Sequence, residues 1–261
     1  MLEKELLDEI RELAFRLSVP IINDESAAVL AACVADAAKR RFCGYYKSPP
    51  LAEYSADGKA AEYSADGGAA EYSADGRAAE YSDAPPCFRI LEIGTGIGYS
   101  GLLMSEAAAA AARARAEGLT GPPQIFLTTL ELDANSARLA RGFFEKSRMA
   151  ESIRLIEGDA AEFIVMTDCK FDFILLDGPK AQYEKFRPYL AELLNAGGVI
   201  FADNMRFKGY VGDAYIRRKH RSIVTALRAY TDNIKADGRF DTVEYAVGDG
   251  VIASTKKSLI K

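Results

Sequence analysis

The sequence predicts an α/β protein: a doubly wound, mainly parallel sheet of seven strands that closes in an antiparallel hairpin and is preceded by helices. Three observations predict it. From Phe88 onward, short apolar runs alternate with helical periods, the pattern of parallel strands joined by crossover helices. The first such run, in the segment ILEIGTGIGYS (90–100), passes directly into Gly94, Gly96 and Gly98. That turn lets backbone come close to a ligand where a Cβ would block it. The last two runs are separated only by Gly248-Asp249-Gly250, a hairpin turn rather than a crossover.

Taken in order, the first helix spans about residues 2–17, with Leu2, Leu6, Ile10, Leu13 and Leu17 on one stripe. Pro20 ends it, and Asp24 can cap a second helix that runs to about Arg41. Residues 52–83 are a tandem nonamer: AEYSADGKA, AEYSADGGA, AEYSADGRA and a truncated AEYSD. Its period fits neither helix nor strand, and each full copy carries an Asp-Gly turn signal, so a linker-like insertion is expected. Strands follow at 88–93, 125–131, 153–157, 171–176, 197–202, 241–247 and 250–255. Helices follow near 99–117, 134–147, 160–166, 181–195 and 213–236. The Ala-rich stretch 107–116 favours helix strongly and is longer than a crossover needs. With EGLTGP (118–123) it reads as a second, smaller insertion. The organisation is therefore N-terminal helices (1–41) belonging to the same domain, an insertion (42–87), and a core (88–261).

Composition narrows the function classes. No apolar stretch approaches the ~20 residues of a membrane span. The opening MLEKELLDEIRELAFRL lacks the core of a signal peptide, so a cytoplasmic protein without membrane attachment is expected. The four cysteines form no CxxC pair, which suits reduced thiols. His220 is the only histidine, which argues against a histidine-built zinc site or Ser-His catalysis. The net charge of −5 misleads. Eight acids against Lys59 and Arg77 give the repeat a charge of −6, leaving +1 for the rest of the chain. An anionic substrate is not excluded.

The glycine loop specifies a cofactor class. A dinucleotide loop wants Gly-x-Gly-x-x-Gly, with pyrophosphate at the following helix N-terminus. Here the third glycine comes one position early, and Tyr99 stands where that pattern needs glycine. Glu92, at the strand end, is expected to point its carboxylate into the pocket. There it would repel phosphates but suit a cation or a ribose. This spacing resembles motif I of the class I methyltransferases, whose donor is the phosphate-free sulfonium S-adenosylmethionine. Seven strands with a terminal hairpin likewise resemble the Rossmann-like sheet of those enzymes. Glu92, Gly94, Gly96, Gly98 and Ser100 are accordingly cofactor candidates. Glu131, at the carboxyl end of the second strand, is placed for both ribose hydroxyls. Asp159 and Ala160 resemble the adenine-facing positions of this fold, although Asp159 also reads as a helix N-cap.

The fourth strand ends in FDFILLDGPKAQY and the fifth in GGVIFADNMRFKG. Neighbouring parallel strands bring Asp177, Asp203 and Asn204 together beside the cofactor loop. Three oxygen ligands suit a hard divalent cation, most plausibly Mg²⁺. With the terminal GDGVIAS, these segments resemble the cation-dependent O-methyltransferases of the catechol and caffeoyl-CoA type. Within them, ADNMRFKGYV and the basic helix that follows look most like the bacterial tRNA 5-hydroxyuridine methyltransferases. The resemblance implies a homodimer, metal held by Asp177, Asp203 and Asn204, and Lys180 beside the acceptor hydroxyl, with Lys180 and Asp177 as catalytic candidates. Gly178-Pro179 departs from the family's usual two alanines, and Met205-Arg206 from a more apolar pair. RRKHR (217–221), with Arg206, Lys208, Arg228 and Lys235, forms a basic surface. Phe207 or Tyr210 could stack on a base. Arg206, Lys208, Arg217, Arg218 and His220 are the substrate candidates. The expected reaction is methylation of 5-hydroxyuridine at the tRNA wobble position, read in the anticodon loop, giving 5-methoxyuridine. The alternative is O-methylation of a small catechol-like or caffeoyl-CoA-like molecule.

Overall fold

The computed structural model describes residues 3–42, 86–114 and 123–258. The nonamer repeat, most of the 118–123 stretch, Leu2 and Cys43 lie outside the described residues. The sheet has seven strands in the order β3-β2-β1-β4-β5-β7-β6. These are β1 (Cys87–Ile93), β2 (Gln124–Glu131), β3 (Ile153–Glu157), β4 (Phe171–Leu176), β5 (Leu194–Ala202), β6 (Phe240–Tyr245) and β7 (Val251–Lys256). The first five pair in parallel, and β7 runs antiparallel between β5 and β6. The chain builds outward from β1 to β3, then returns to β4 on the other side of β1. That reversal opens a crevice at the carboxyl ends of β1 and β4, the place where open α/β sheets bind ligands.

Alternation along the central strands sorts side chains between two layers. Phe88, Ile90, Phe173, Leu175, Val199 and Phe201 face a core shared with the N-terminal helices, α3 (Tyr99–Arg113) and α4 (Ala134–Lys146). Leu91, Ile93, Ile174, Leu176 and Ile200 face a second core against α5 (Ala160–Met166), α6 (Tyr183–Leu193) and α7 (Arg221–Ala236). β1 and β4 are buried at every position, as expected of strands covered on both faces. Ala108, Ala109, Ala111 and Ala112 are buried in the first core, so this part of the Ala-rich stretch belongs to the layer covering the sheet.

The N-terminal helices are α1 (Glu3–Leu17) and α2 (Asp24–Arg40). Leu6 and Ile10 are fully buried, as their stripe predicts, but the burial continues at Ala14 while Leu17 is half exposed. The helix stops because Ser18 takes a left-handed φ of +54°, two residues before Pro20. Asn23, rather than Asp24, caps α2: its Oδ1 accepts from the Ser26 N–H at 2.9 Å. Arg41 Nε donates to the Cys87 carbonyl at 3.0 Å, bringing the chain just after α2 against the start of β1.

The last helix begins later than its expected start at 213. Residues 204–217 form a looped excursion, followed by a 3-10 turn at Arg218–His220. Arg228 reaches back from α7 and donates to the carbonyls of Val211 and Asp213, holding that backbone outside the helix. β5 likewise takes Leu194 and Asn195, ending α6 at Leu193 rather than 195.

Candidate functional site

A cavity of about 510 Å³ opens at the carboxyl ends of β1, β2 and β4. Its floor is the glycine loop. Gly94 adopts φ +99°, and a Cβ there would lie 2.5 Å from the Asp177 carbonyl oxygen. The loop is pinned on both sides: the Gly94 and Thr95 N–H groups donate to the Leu130 carbonyl, and the Asp177 N–H donates to Ile93. Glu131 completes the hold, accepting from the Gly96 N–H at 2.8 Å and the Asp133 N–H at 2.9 Å. Its carboxylate sits on the cavity wall. Asp159 caps α5 through the Ala161 N–H at 2.8 Å and lines the same cavity with Ala160, so its capping and wall positions coincide.

Glu92 does not point into the cavity. It shares the parity of Phe88 and Ile90, which turns it towards α3, beneath the loop and with no solvent exposure. Its carboxyl group accepts from Ser100 Oγ at 2.5 Å and Thr129 Oγ1 at 2.6 Å. Burial, with smaller contributions from the charges of Asp177 and Glu131, pushes it up to about 8. Ser100 lines the cavity while its hydroxyl is engaged with Glu92. Glu92 thus supports the loop from below. A folded-state value above the ordinary 4.5 means its contribution to stability is full below about 4.5 and lost as pH rises through about 8. Glu92→Gln keeps a donor and an acceptor without the charge. Across pH 5 to 8.5 the variant should lose less melting temperature than wild type, by roughly 8 °C. Parallel slopes in a thermal-shift series would refute the assignment.

Asp177, Lys180, Asp203 and Asn204 share one wall of the cavity. Lys180 Nζ lies 3.0 Å from Asp177 Oδ1. Burial raises the Asp177 carboxyl above its ordinary range, and Lys180 opposes that shift. Asp203 is almost fully buried. Burial and the nearby Asp177 charge push it up to about 6. Asn204 takes a left-handed φ of +58°, and its N–H donates to Asp203 Oδ1 at 2.8 Å. Beneath them Tyr183, fully buried, donates to the Leu176 carbonyl at 2.7 Å, tying α6 to the end of β4. Among the described residues, no three His, Cys, Asp or Glu side chains group to hold a metal; here the third oxygen is an amide. Two crowded carboxylates and that amide fit a hard divalent cation, which would relieve the repulsion that raises Asp203.

The sequence reading missed part of the wall. Val19, Pro20, Ile21 and Ile22, between α1 and α2, cover the cavity, and Thr95, Tyr99 and Gln182 also line it. The apolar segment VPII ahead of a helix cap was the available signal. The five substrate candidates fall outside the cavity lining, because the chain turns away at Asn204. The Lys208 N–H is held by the Asp249 carboxylate. The His220 ring stacks on Tyr210 at 4.8 Å and meets Phe207 edge-on at 5.4 Å. Arg217 and Arg218 are exposed beside this cluster.

The fold and the crevice define an α/β protein with an acidic wall at its switch point. The chain belongs to the O-methyltransferase family, whose model matches residues 86–257. It is 27% identical over 175 residues to tricin synthase 1 of Oryza sativa subsp. japonica, covering 62% of this chain and 64% of that protein. It is 26% identical over 171 residues to a caffeoyl-CoA O-methyltransferase of Populus kitakamiensis, covering 62% and 67%. The chain thus spans just under two thirds of the rice protein's length. Among solved structures, an O-methyltransferase of Bacillus cereus in complex with SAH superposes with a TM-score of 0.64 at 20% identity, covering 97% of this chain and 91% of that one. The SAH-bound Podospora anserina methyltransferase PaMTH1 is 26% identical, with a TM-score of 0.54 and coverages of 65% and 72%. Among the described residues, no helix is long and apolar enough to cross a membrane.

Proposed function

We propose that this protein transfers the methyl group of S-adenosylmethionine to a hydroxyl of a small catechol-like or caffeoyl-CoA-like acceptor, with a divalent cation at the acidic wall. The observation that carries the reading is the placement of Asp177, Lys180, Asp203 and Asn204 on one wall of the cavity whose floor is the Gly94 loop. The names of the relatives, and the SAH held by two structural neighbours, support it.

The sulfonium methyl is already activated, so the protein's task is to align an oxyanion with it. In this reading Glu131 receives the ribose hydroxyls, and Asp159 and Ala160 flank the adenine. Asp177, Asp203 and Asn204 would hold the cation. When bound, the cation supplies Lewis acidity that makes the acceptor hydroxyl easier to ionise. Lys180, beside Asp177, takes that proton or stabilises the oxyanion. The Val19–Ile22 segment keeps bulk water from the donor. The proposal includes a homodimer built through the N-terminal helices, supported by Phe15, which stands 87% exposed on α1.

A second reading, a tRNA acceptor, is favoured by the exposed Arg206, Lys208, Arg217 and Arg218 around the Phe207–Tyr210–His220 rings. Salt separates a tRNA acceptor from an uncharged catechol. A complex with several phosphate contacts should weaken roughly 10³-fold between 50 and 200 mM salt, whereas capture of a neutral catechol should barely change. Turnover of a catechol, flat across that range, is the expected result. Activity confined to tRNA, with a steep salt slope, would sink the small-molecule reading.

A further inference from the structure

Tyr99, the residue that breaks the dinucleotide pattern, is gripped from outside the cavity. Arg11 of α1 donates from Nε to the Tyr99 hydroxyl at 2.7 Å, and from Nη2 to the same oxygen. Its guanidinium carbon lies 5.0 Å from the centroid of the Tyr99 ring. The remaining nitrogen, Nη1, pairs with Asp24 at the start of α2, 2.9 Å away. Tyr99 is 3% exposed, opens α3 directly after the glycine loop, and lines the cavity. The covering segment Val19–Ile22 runs between α1 and α2, and the same guanidinium joins the middle of α1 to the first residue of α2.

We infer that Arg11 is a positioning residue for the methyl donor: one planar cation locks the cover to the rim of the glycine loop, acting through Tyr99 and Asp24. Its fork explains why arginine suits the position. Two N–H groups converge on one oxygen while a third points elsewhere, which an ammonium cannot reproduce. Arg11 does not line the cavity, so it touches neither donor nor acceptor. Losing it loosens the donor's enclosure without removing a reacting group. This inference rests on reading the cavity as the S-adenosylmethionine site.

The test is calorimetric titration of the full-length protein with S-adenosylhomocysteine, alongside steady-state kinetics in which the donor is varied. Arg11→Ala should raise the dissociation constant and the donor KM about 10-fold, the loss of charge-assisted hydrogen bonding, with kcat at saturating donor within about twofold of wild type. Arg11→Lys, which keeps the pair with Asp24, should fall between them. Tyr99→Phe, which keeps the ring and removes the acceptor, should shift KM in the same direction and keeps the question open to test if Arg11→Ala fails to fold. A merely structural role would lower the melting temperature and the active fraction with KM unmoved, and that pattern overturns the inference. So do wild-type binding and KM in both Arg11→Ala and Tyr99→Phe. If wild-type protein itself fails to bind S-adenosylhomocysteine, the cavity reading falls and takes this inference with it; binding by wild type that Arg11→Ala matches refutes the clamp alone.

Discussion

Asp203→Ala is expected to lower kcat/KM for methyl transfer by at least ~10²-fold while leaving the fold standing. Partners one shell out from a metal are worth 10- to 100-fold in affinity or activity, and Asp203 belongs to the proposed ligand set itself. The stability side follows from its environment. Asp203 is almost fully buried and its carboxyl is pushed up to about 6, so its ionised form is an electrostatic cost in the folded chain. Removing it relieves repulsion with Asp177 and forfeits one hydrogen bond from the Asn204 N–H. Those effects oppose each other, and the net change should stay within about 1 kcal/mol. Initial rates with a catechol acceptor and Mg²⁺, read beside a thermal melt, check both halves. A variant that methylates like wild type would sink the acidic-wall mechanism.

Gly94→Ala should be the most damaging single-methyl change in the loop. Its φ of +99° is hostile to any side chain, and the new Cβ would press on the Asp177 carbonyl at 2.5 Å. Backbone strain of this kind costs on the order of 1–3 kcal/mol before the clash is counted. Relieving the clash means parting the ends of β1 and β4, where the donor is proposed to sit, so S-adenosylhomocysteine binding should be lost beyond detection. Gly96→Ala is the internal control. At φ +53° it lies where alanine is tolerated at modest cost, and its Cβ meets nothing within 4 Å. Chemical denaturation of the two variants should separate them by roughly 2 kcal/mol or more. Equal midpoints would show that close approach to Asp177 does not set the identity of Gly94.

The strands were legible because β1 and β4 are buried on both faces and so read as unbroken apolar runs. The gathering of Asp177, Asp203 and Asn204 was legible for a related reason: parallel pairing puts consecutive strand ends side by side. Glu92 was misjudged although the information was present. Counting by twos from Phe88 and Ile90 assigns it to the helix-covered face rather than the mouth. The Val19–Ile22 cover was not legible, since its contact with the loop depends on how α1 docks many residues away in sequence. Residues 213–220 read as helix because local propensity ignores Arg228, which takes up the Asp213 carbonyl that such a helix would use and the Val211 carbonyl just before it.

The bond from Arg41 to the Cys87 carbonyl sets the terms on which this chain can change length. It joins a residue just before the 42–87 insertion to the residue that ends it, at the amino end of β1, while the cavity opens at the carboxyl ends of the strands. For a flexible loop that must only return to its point of departure, closure cost grows slowly with length, so nine further residues would add about 0.2 kcal/mol. Slippage during replication would therefore add or delete copies with the cavity end of the sheet shielded from the result. Copy number between Phe42 and Cys87 is expected to drift among closely related sequences while the residues around Gly94 and Asp203 stay fixed.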